Sequence, residues 1–356
     1  MSKVTRAEFI ETKDPRWIEM LADVRHDFYH LPEYLEFAAK HEGGIPTAFY
    51  AEDGDDRFLA PLLLRKIPAY LDAPRDWCDA ATPYGYPAPI VSSTCGKIGF
   101  ERFLASLKQQ GLERGIISAF FRLHPLLVLP PGALTRHGQV INHGKTVYLD
   151  LSLSTEEIWS QVRQNHKRGI KKLVQSGFQV RMDEGRHFHE FSAIYAMTME
   201  RLSASEFYCF DKDYFDDLRS ALGERMKLCV VFSPTGEVAS AGLFVVADGI
   251  MQYHLGATSN SYLGQAPSKL FYDFAWRWAK EHGCRFVFLG GGPGGEDGSL
   301  MHFKTGFSQL QAEFFTYRMI LDESKYAMLM QNWNRLYDNR IATNPGFFPA
   351  YRKPIL

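Results

Sequence analysis

Over the first sixty residues, apolar positions recur at helical spacing and then at strand spacing. After Asp14-Pro15, residues Trp17, Ile18, Leu21 and Val24 fall on one helical face, and Leu31-Pro32-Glu33 opens a second helix carrying Tyr34, Leu35 and Phe37. Two apolar runs, Thr47–Ala51 and Phe58–Leu64, flank Glu52-Asp53-Gly54-Asp55-Asp56, and acidic turn residues in that position predict a hairpin. Three prolines in Pro83-Tyr84-Gly85-Tyr86-Pro87-Ala88-Pro89 fix φ and remove donors, so that segment is irregular. A helix is expected near Phe100–Gln110, a strand at Ile116–Arg122, and a loop from Pro130 to Lys145.

The second half repeats this style. A strand at Thr146–Leu151 leads to Ser154-Thr155-Glu156-Glu157, a helix cap with acids in the first turn. A basic helix over Trp159–Ser176, a strand at Phe178–Arg181, and helices at Phe188–Leu202 and Lys212–Leu222 follow. Three strands come next, Lys227–Phe232, Ser240–Ala247 and Ile250–Leu255, with turns at Pro234-Thr235-Gly236 and Gly249. The irregular stretch Thr258–Ala266 feeds a long helix, Pro267–His282, then a strand at Arg285–Leu289, a glycine cluster, and one or two strands within Leu310–Leu321. The pattern predicts an α/β protein with mixed sheets and two domains, 1–150 and 151–325, with a C-terminal helix and tail at 326–356.

Composition narrows the function classes. The 356 residues carry a net charge of −1, so no global positive field draws in nucleic acid, and any RNA contact is confined to a local patch. The five cysteines show no C-x-x-C pairing, which fits reduced thiols in a cytoplasmic setting. The opening residues are charged and unlike a secretory signal, and no apolar run approaches bilayer length.

Several motifs carry potential chemistry. Leu289 to Gly295 contains G-x-G-x-x-G after a strand, but Glu296-Asp297-Gly298 would set two acids against a pyrophosphate, and too little chain follows for further βαβ units. The glycines, Gly291 and Gly292 among them, instead allow a sharp turn and leave space beside a ligand. Next come Asp297 and then Phe303-Lys304-Thr305-Gly306-Phe307. A lysine between phenylalanines either holds positive charge in a partly dry site, to meet a developing oxyanion, or snorkels from a core-packing turn. In Arg163–Lys172, residues Arg163, Lys167 and Lys171 share a helical face without interleaved acids, which suits phosphate contacts or a solvated face. His187-Phe188-His189 and Asp211-Lys212-Asp213 lack further ligands at useful spacing, so no metal site is expected, and no G-x-S-x-G marks a serine nucleophile.

The second-half element order is that of a GNAT domain. Taken in order, Pro83–Pro87, Arg122-Leu123-His124-Pro125-Leu126, Arg163–Lys172, Thr198-Met199-Glu200-Arg201, Tyr253-His254-Leu255-Gly256-Ala257, Ala266–Leu270 and Gly290–Phe307 resemble the FemAB family and its FemX relatives. The resemblance implies two tandem GNAT-like domains, the first degenerate, with the acceptor held in a cleft between them. It implies aminoacyl transfer from charged tRNA to a peptidoglycan-precursor amine, or acyl transfer to an amine-bearing sugar, with aminoacyl-tRNA or acyl-CoA as co-substrate and no permanently bound cofactor. Phe303 and Lys304 would contact the activated carbonyl, and Arg201, with Arg163 and Lys167 of the basic helix, would hold a sugar-nucleotide diphosphate or tRNA phosphates. Tyr84, Tyr86, Tyr208 and Tyr253 join the expected substrate contacts. His124, His254 and Asp297 are candidate bases. Pro87-Ala88 stands where the family has Gly-Gly, and Ser261 stands where acetyl-CoA-using GNAT enzymes carry Arg or Gln before Gly264-Gln265-Ala266. No coiled-coil arm is legible, which points to a small acceptor such as an amino sugar.

Overall fold

Helix α1 (Pro15–Asp23) starts as its sequence requires: Asp14 accepts from the Arg16 amide at 3.0 Å, and Pro15 takes the first helical position. It buries Trp17, Met20 and Leu21, whereas Ile18 faces solvent and Val24 lies just past the helix. Helix α2 (Pro32–Glu42) buries Tyr34, Leu35 and Phe37. The computed structural model describes residues 4–130, 132–183, 185–292, 298–337 and 346–353. They divide into two compact units, residues 1–143 with 314–356, and residues 144–313.

In the first unit the strands run in the order β1 (Arg6–Ile10), β2 (Ile45–Asp53), β3 (Asp56–Lys66), β4 (Cys78–Ala81), β6 (Ile116–Arg122) and β13 (Gln311–Ile320), with the short β5 (Ile90–Val91) beside β3. The β2–β3 hairpin closes at Asp53 opposite Asp56, around Gly54 at φ +62°. Strands β4 and β6 are parallel, joined through helix α3 (Lys97–Glu113). That helix packs Phe100 and Phe103 onto Phe58 in an aromatic core with Phe121 and Tyr317. Helix α10 (Glu323–Leu336) seats Leu329 and Trp333 against Leu71, Ile117 and Tyr351. The C-terminal strand and helix thus belong with the N-terminal residues, because β13 pairs antiparallel with β6 from Thr316 opposite Arg122 to Ile320 opposite Ser118. A plain division near residue 150 gives no hint of this.

The second unit orders its strands β7 (Gln139–Asp150), β12 (Phe286–Gly290), β11 (Ile250–Thr258), β10 (Val238–Ala247), β9 (Met226–Phe232) and β8 (Gln179–Asp183). Its parallel pair, β11 and β12, is joined through α8 (Ser268–Glu281), repeating the strand–helix–strand step of β4, α3 and β6. Helices α6 (Phe188–Arg201) and α7 (Lys212–Leu222) complete it. The core gathers Phe244, Phe271, Tyr272, Trp276 and Phe307. Strand β7 begins at Gln139, inside the stretch expected to be a loop. The basic segment, expected as one helix, is two: α4 (Thr155–Gln161) and α5 (Gln164–Gln175), separated by Val162 and Arg163 at ψ 130° and 146°. Among the described residues no helix is long and apolar enough to cross a membrane.

At the start of α4, Ser154 accepts from the Glu157 amide at 3.1 Å while the Glu157 carboxylate accepts from the Ser154 amide at 2.7 Å. Ser154→Ala removes one half of this pair and is expected to cost about 1 kcal/mol of stability, read as a lower urea midpoint with unchanged slope.

Candidate active site

Ladder pairing between β11 and β12 stops at Gln252 opposite Phe288, although β11 runs on to Thr258 and β12 to Gly290. The strands therefore part at Tyr253. On the other edge of β11, Leu243 faces Leu255 and Phe244 faces Tyr253, so His254 is the extra residue of a bulge.

Lys304 closes the short helix α9 (Ser299–Lys304) and is 4% exposed. Its Nζ donates to the Gly291 carbonyl at 2.7 Å and lies 5.4 Å from the centre of the Tyr253 ring. Both partners are neutral, so nothing there offsets the cost of burying the ammonium in full. Burial accordingly lowers the Lys304 pKa to about 7. Tyr272 donates its phenol proton to Tyr253, whose own proton burial holds to about pH 12. Tyr253 hangs over Gly256, where a Cβ would meet its hydroxyl at 2.2 Å, so that backbone has to be glycine.

Two residues at the start of α5 fix α9. The guanidinium of Arg163 donates to the His302 carbonyl at 2.9 Å and to Thr305 Oγ1 at 2.8 Å, and its amide donates to the Gly306 carbonyl at 2.9 Å. His166 Nε2 donates to the Phe303 carbonyl at 3.1 Å, and burial lowers that ring's pKa to about 4, keeping it neutral. A Cβ at Gly306 would meet His166 Nε2 at 2.4 Å, which explains the glycine in Phe303–Phe307. Phe303 itself packs edge-on against Tyr272, with centroids 5.5 Å apart.

The structure thus brings together Lys304, Phe303, Tyr253 and Gly291. Around them it adds His166, Tyr272, Gly256 and Gly306, which the sequence reading did not single out. The sequence signal for His166 was masked by the lysines and arginines around it. Arg163 is a clamp on α9 rather than the first cation of a stripe. Lys167 turns back to the Ser160 carbonyl at 3.2 Å and over Trp159. The exposed cations of α5 are Arg168, Lys171 and Lys172. Arg201 sits at the far end of β11, bonded to the Asn260 side chain and the Thr258 carbonyl. Burial lowers the His254 pKa to about 4, and its Nε2 is 3.5 Å from the Tyr214 hydroxyl, so it is a weak base at neutral pH. Tyr208 uses its carbonyl to hold the Tyr195 hydroxyl at 3.0 Å. Gly292 follows Gly291 directly, and Asp297 lies outside the described residues.

In the first unit, His124 is fully buried. Its Nε2 donates to Asp27 Oδ2 at 3.0 Å and its Nδ1 accepts from the Leu126 amide at 3.1 Å, so both ring nitrogens are engaged in holding the chain. Tyr84 is pinned through its carbonyl by the Tyr34 hydroxyl, and Tyr86 packs edge-on against Phe314. Gly85, at φ +102°, lies where a Cβ would meet the Tyr29 ring at 2.1 Å. These contacts make Pro83–Pro87 a fixed loop.

Residues 160–305, which contain this forked strand pair and the helix α8 between its strands, match the acetyltransferase (GNAT) domain family. The match covers only part of a two-unit, mixed α/β chain. The fold is similar to that of FemX, whose crystal structure aligns at a TM-score of 0.72 and 14% identity, covering 91% of this chain and 99% of that one. L-PGS from Bacillus licheniformis aligns at 0.55 and 14% identity, covering 91% and 97%. The C-terminal domain of a putative lysylphosphatidylglycerol synthetase from Agrobacterium fabrum aligns at 0.53 and 11%, covering 90% and 96%. No curated protein matches the chain by sequence.

Proposed function

We propose that the protein transfers an aminoacyl or acyl group from an activated carrier to an amine of a cell-envelope precursor or amino sugar, in the cytoplasm. The observation that carries this reading is Lys304, a buried lysine with neutral partners beside the fork of β11 and β12. In the proposed step the deprotonated amine attacks an ester or thioester carbonyl, and a C–N bond forms. The carbonyl oxygen takes the negative charge. Lys304 donates to that oxyanion in a site from which water is largely excluded, where such a donor acts most strongly. Collapse of the intermediate breaks the bond to the carrier oxygen or sulfur, and the proton shed by the amine leaves with the carrier. The shared fold of the FemX and L-PGS neighbours supports aminoacyl or acyl transfer in general, and for an aminoacyl-tRNA carrier the exposed Arg168, Lys171 and Lys172 offer phosphate contacts.

A second reading, an acyl-CoA N-acyltransferase, is favoured by one feature. Ser261 lacks the expected charge, but Lys269 in the first turn of α8 brings its amine over Gly169, where a Cβ would meet Nζ at 3.2 Å, and so restores a cation at that helix start. A third, a non-catalytic precursor-binding module, leaves the buried Lys304 without a task.

Mass spectrometry of amine-bearing envelope precursors from cells with and without the gene tests the proposal. The expected result is a precursor whose mass differs by one acyl or aminoacyl group. Identical pools, together with a purified protein that binds sugar nucleotide but turns over neither donor, would leave the binding-module reading standing.

A further inference from the structure

The first unit contains a cavity of about 270 Å³ whose lining includes none of the residues gathered around Lys304. Its walls come from the sheet (Arg65 of β3, Arg122 of β6, Arg318 of β13, and His143, the last first-unit residue of β7) and from Phe347 and Phe348 of the C-terminal segment. Charge is unbalanced there. Arg65 Nε reaches Asp79 at 2.8 Å, and Arg352 Nε reaches the other oxygen of the same buried carboxylate at 2.5 Å. Glu42, at the rim, is engaged by the Tyr84 amide at 2.9 Å. Arg122 donates to the carbonyls of Thr82 at 2.9 Å and Pro83 at 3.3 Å, and Arg318 donates to the carbonyl of Gly346. Neither of these two has a carboxylate ion pair among the described residues. Four guanidiniums (65, 122, 318 and 352) against two carboxylates (42 and 79) leave two positive charges.

Arg318 is 8% exposed, and its Nε is buried with no hydrogen-bond partner. Such a donor is costly to leave unmet. Arg122, Arg318 and His143 all line the cavity; burial lowers the pKa of each, and both arginines lower that of His143 further. Guanidiniums in a partly dry cavity match the planar geometry of carboxylate and phosphate oxygens. The ring of Phe120 under Arg122, and that of Phe348 near Arg318, give the same cavity an aromatic wall.

We infer that this cavity is a second ligand site, for a small molecule whose carboxylate or phosphate group is held by Arg122 and Arg318 while an apolar body lies against Phe347 and Phe348. The inference is independent of the acyl-transfer reading.

Calorimetric titration of the full chain at constant ionic strength, with inorganic phosphate and benzoate as separate probes, tests it. Saturable binding of at least one probe, at or below about millimolar concentration, is expected. Arg318→Gln weakens it about tenfold or more, the usual loss with one charge-assisted hydrogen bond, whereas Lys304→Ala leaves it unchanged. Phe347→Ala, at an exposed position, weakens benzoate and spares phosphate, which separates a carboxylate on an apolar body from a bare oxyanion. No saturable binding of either probe overturns the inference, as does a folded Arg318→Gln variant with undiminished affinity. If that variant does not fold, NMR of the His143 ring in the wild-type protein decides. Resonances that move saturably with the probe uphold the site, and resonances that stay put refute it.

Discussion

Replacing Lys304 with alanine lowers the rate of acyl transfer by about two to three orders of magnitude while the protein still folds, the penalty typical of losing one preorganised oxyanion donor. The size follows from the surroundings. The amine is buried against a carbonyl and a phenol ring, so no water stands ready to replace it as a donor. Lys304→Arg keeps the charge but changes the reach and fork of the donor, and is expected to recover only part of the rate. Single-turnover rates on the donor and acceptor found by mass spectrometry measure both variants. A Lys304→Ala enzyme with wild-type turnover would show that the lysine only packs, and the proposed mechanism would fall with it.

The second large effect is on stability and needs no substrate. Lys304 titrates near pH 7 in the folded protein, against an ordinary value of 10.5. Between those two values the unfolded chain holds a proton that the native one has released, so this residue makes stability rise with pH across that window. Below pH 7 the native lysine is charged and its full burial penalty is present. A shift of about 3.5 units, at somewhat more than 1 kcal/mol per unit, sets that penalty at about 5 kcal/mol. Lys304→Met is therefore expected to be more stable than wild type by up to about that amount at pH 6, less whatever the lost bond to Gly291 contributes. The advantage should shrink steadily from pH 7 and vanish above pH 10. Urea denaturation of both proteins across the pH range measures the difference, in which the titration of all other groups cancels. A difference that stays flat with pH would mean the lysine keeps an ordinary pKa.

Both effects come from one contradiction: a strongly hydrophilic side chain occupies a buried position. Fixing it there takes Arg163 and His166, whose contacts with α9 span 140 residues of sequence or nearly so. This also gives Gly306 its purpose, since any side chain at that position would displace the His166 ring.

Local chemistry was enough to place most elements. Helical spacing with a proline or capping residue marked α1, α2 and α8, and apolar runs between turn residues marked β2, β3, β6, β9, β10 and β11. Each of those signals is contained within a few neighbouring residues. The elements that escaped are those whose partners lie elsewhere. Strands β1 and β4 are short and exist because β2, β3 and β6 complete their ladders. The break at Val162–Arg163 was invisible because the residues on both sides favour helix, while the contacts that stop it come from residues 302–306.

The site divides in the same way. From the chain alone, Phe303–Phe307 stood out as a lysine set between aromatic residues beyond a glycine-rich strand end, and the ordered motifs pointed to acyl transfer. Whether that lysine was solvated or dry could not be read there, because burial depends on which strand parts from which. The end of the β11–β12 ladder at Gln252, the bulge at His254 and the ring of Tyr253 make the surroundings that hold the Lys304 amine near neutrality. Sequence determined the chemical groups available and the elements that carry them. Only tertiary structure, by excluding water from one ammonium and pairing it with neutral partners, determined what that group can do.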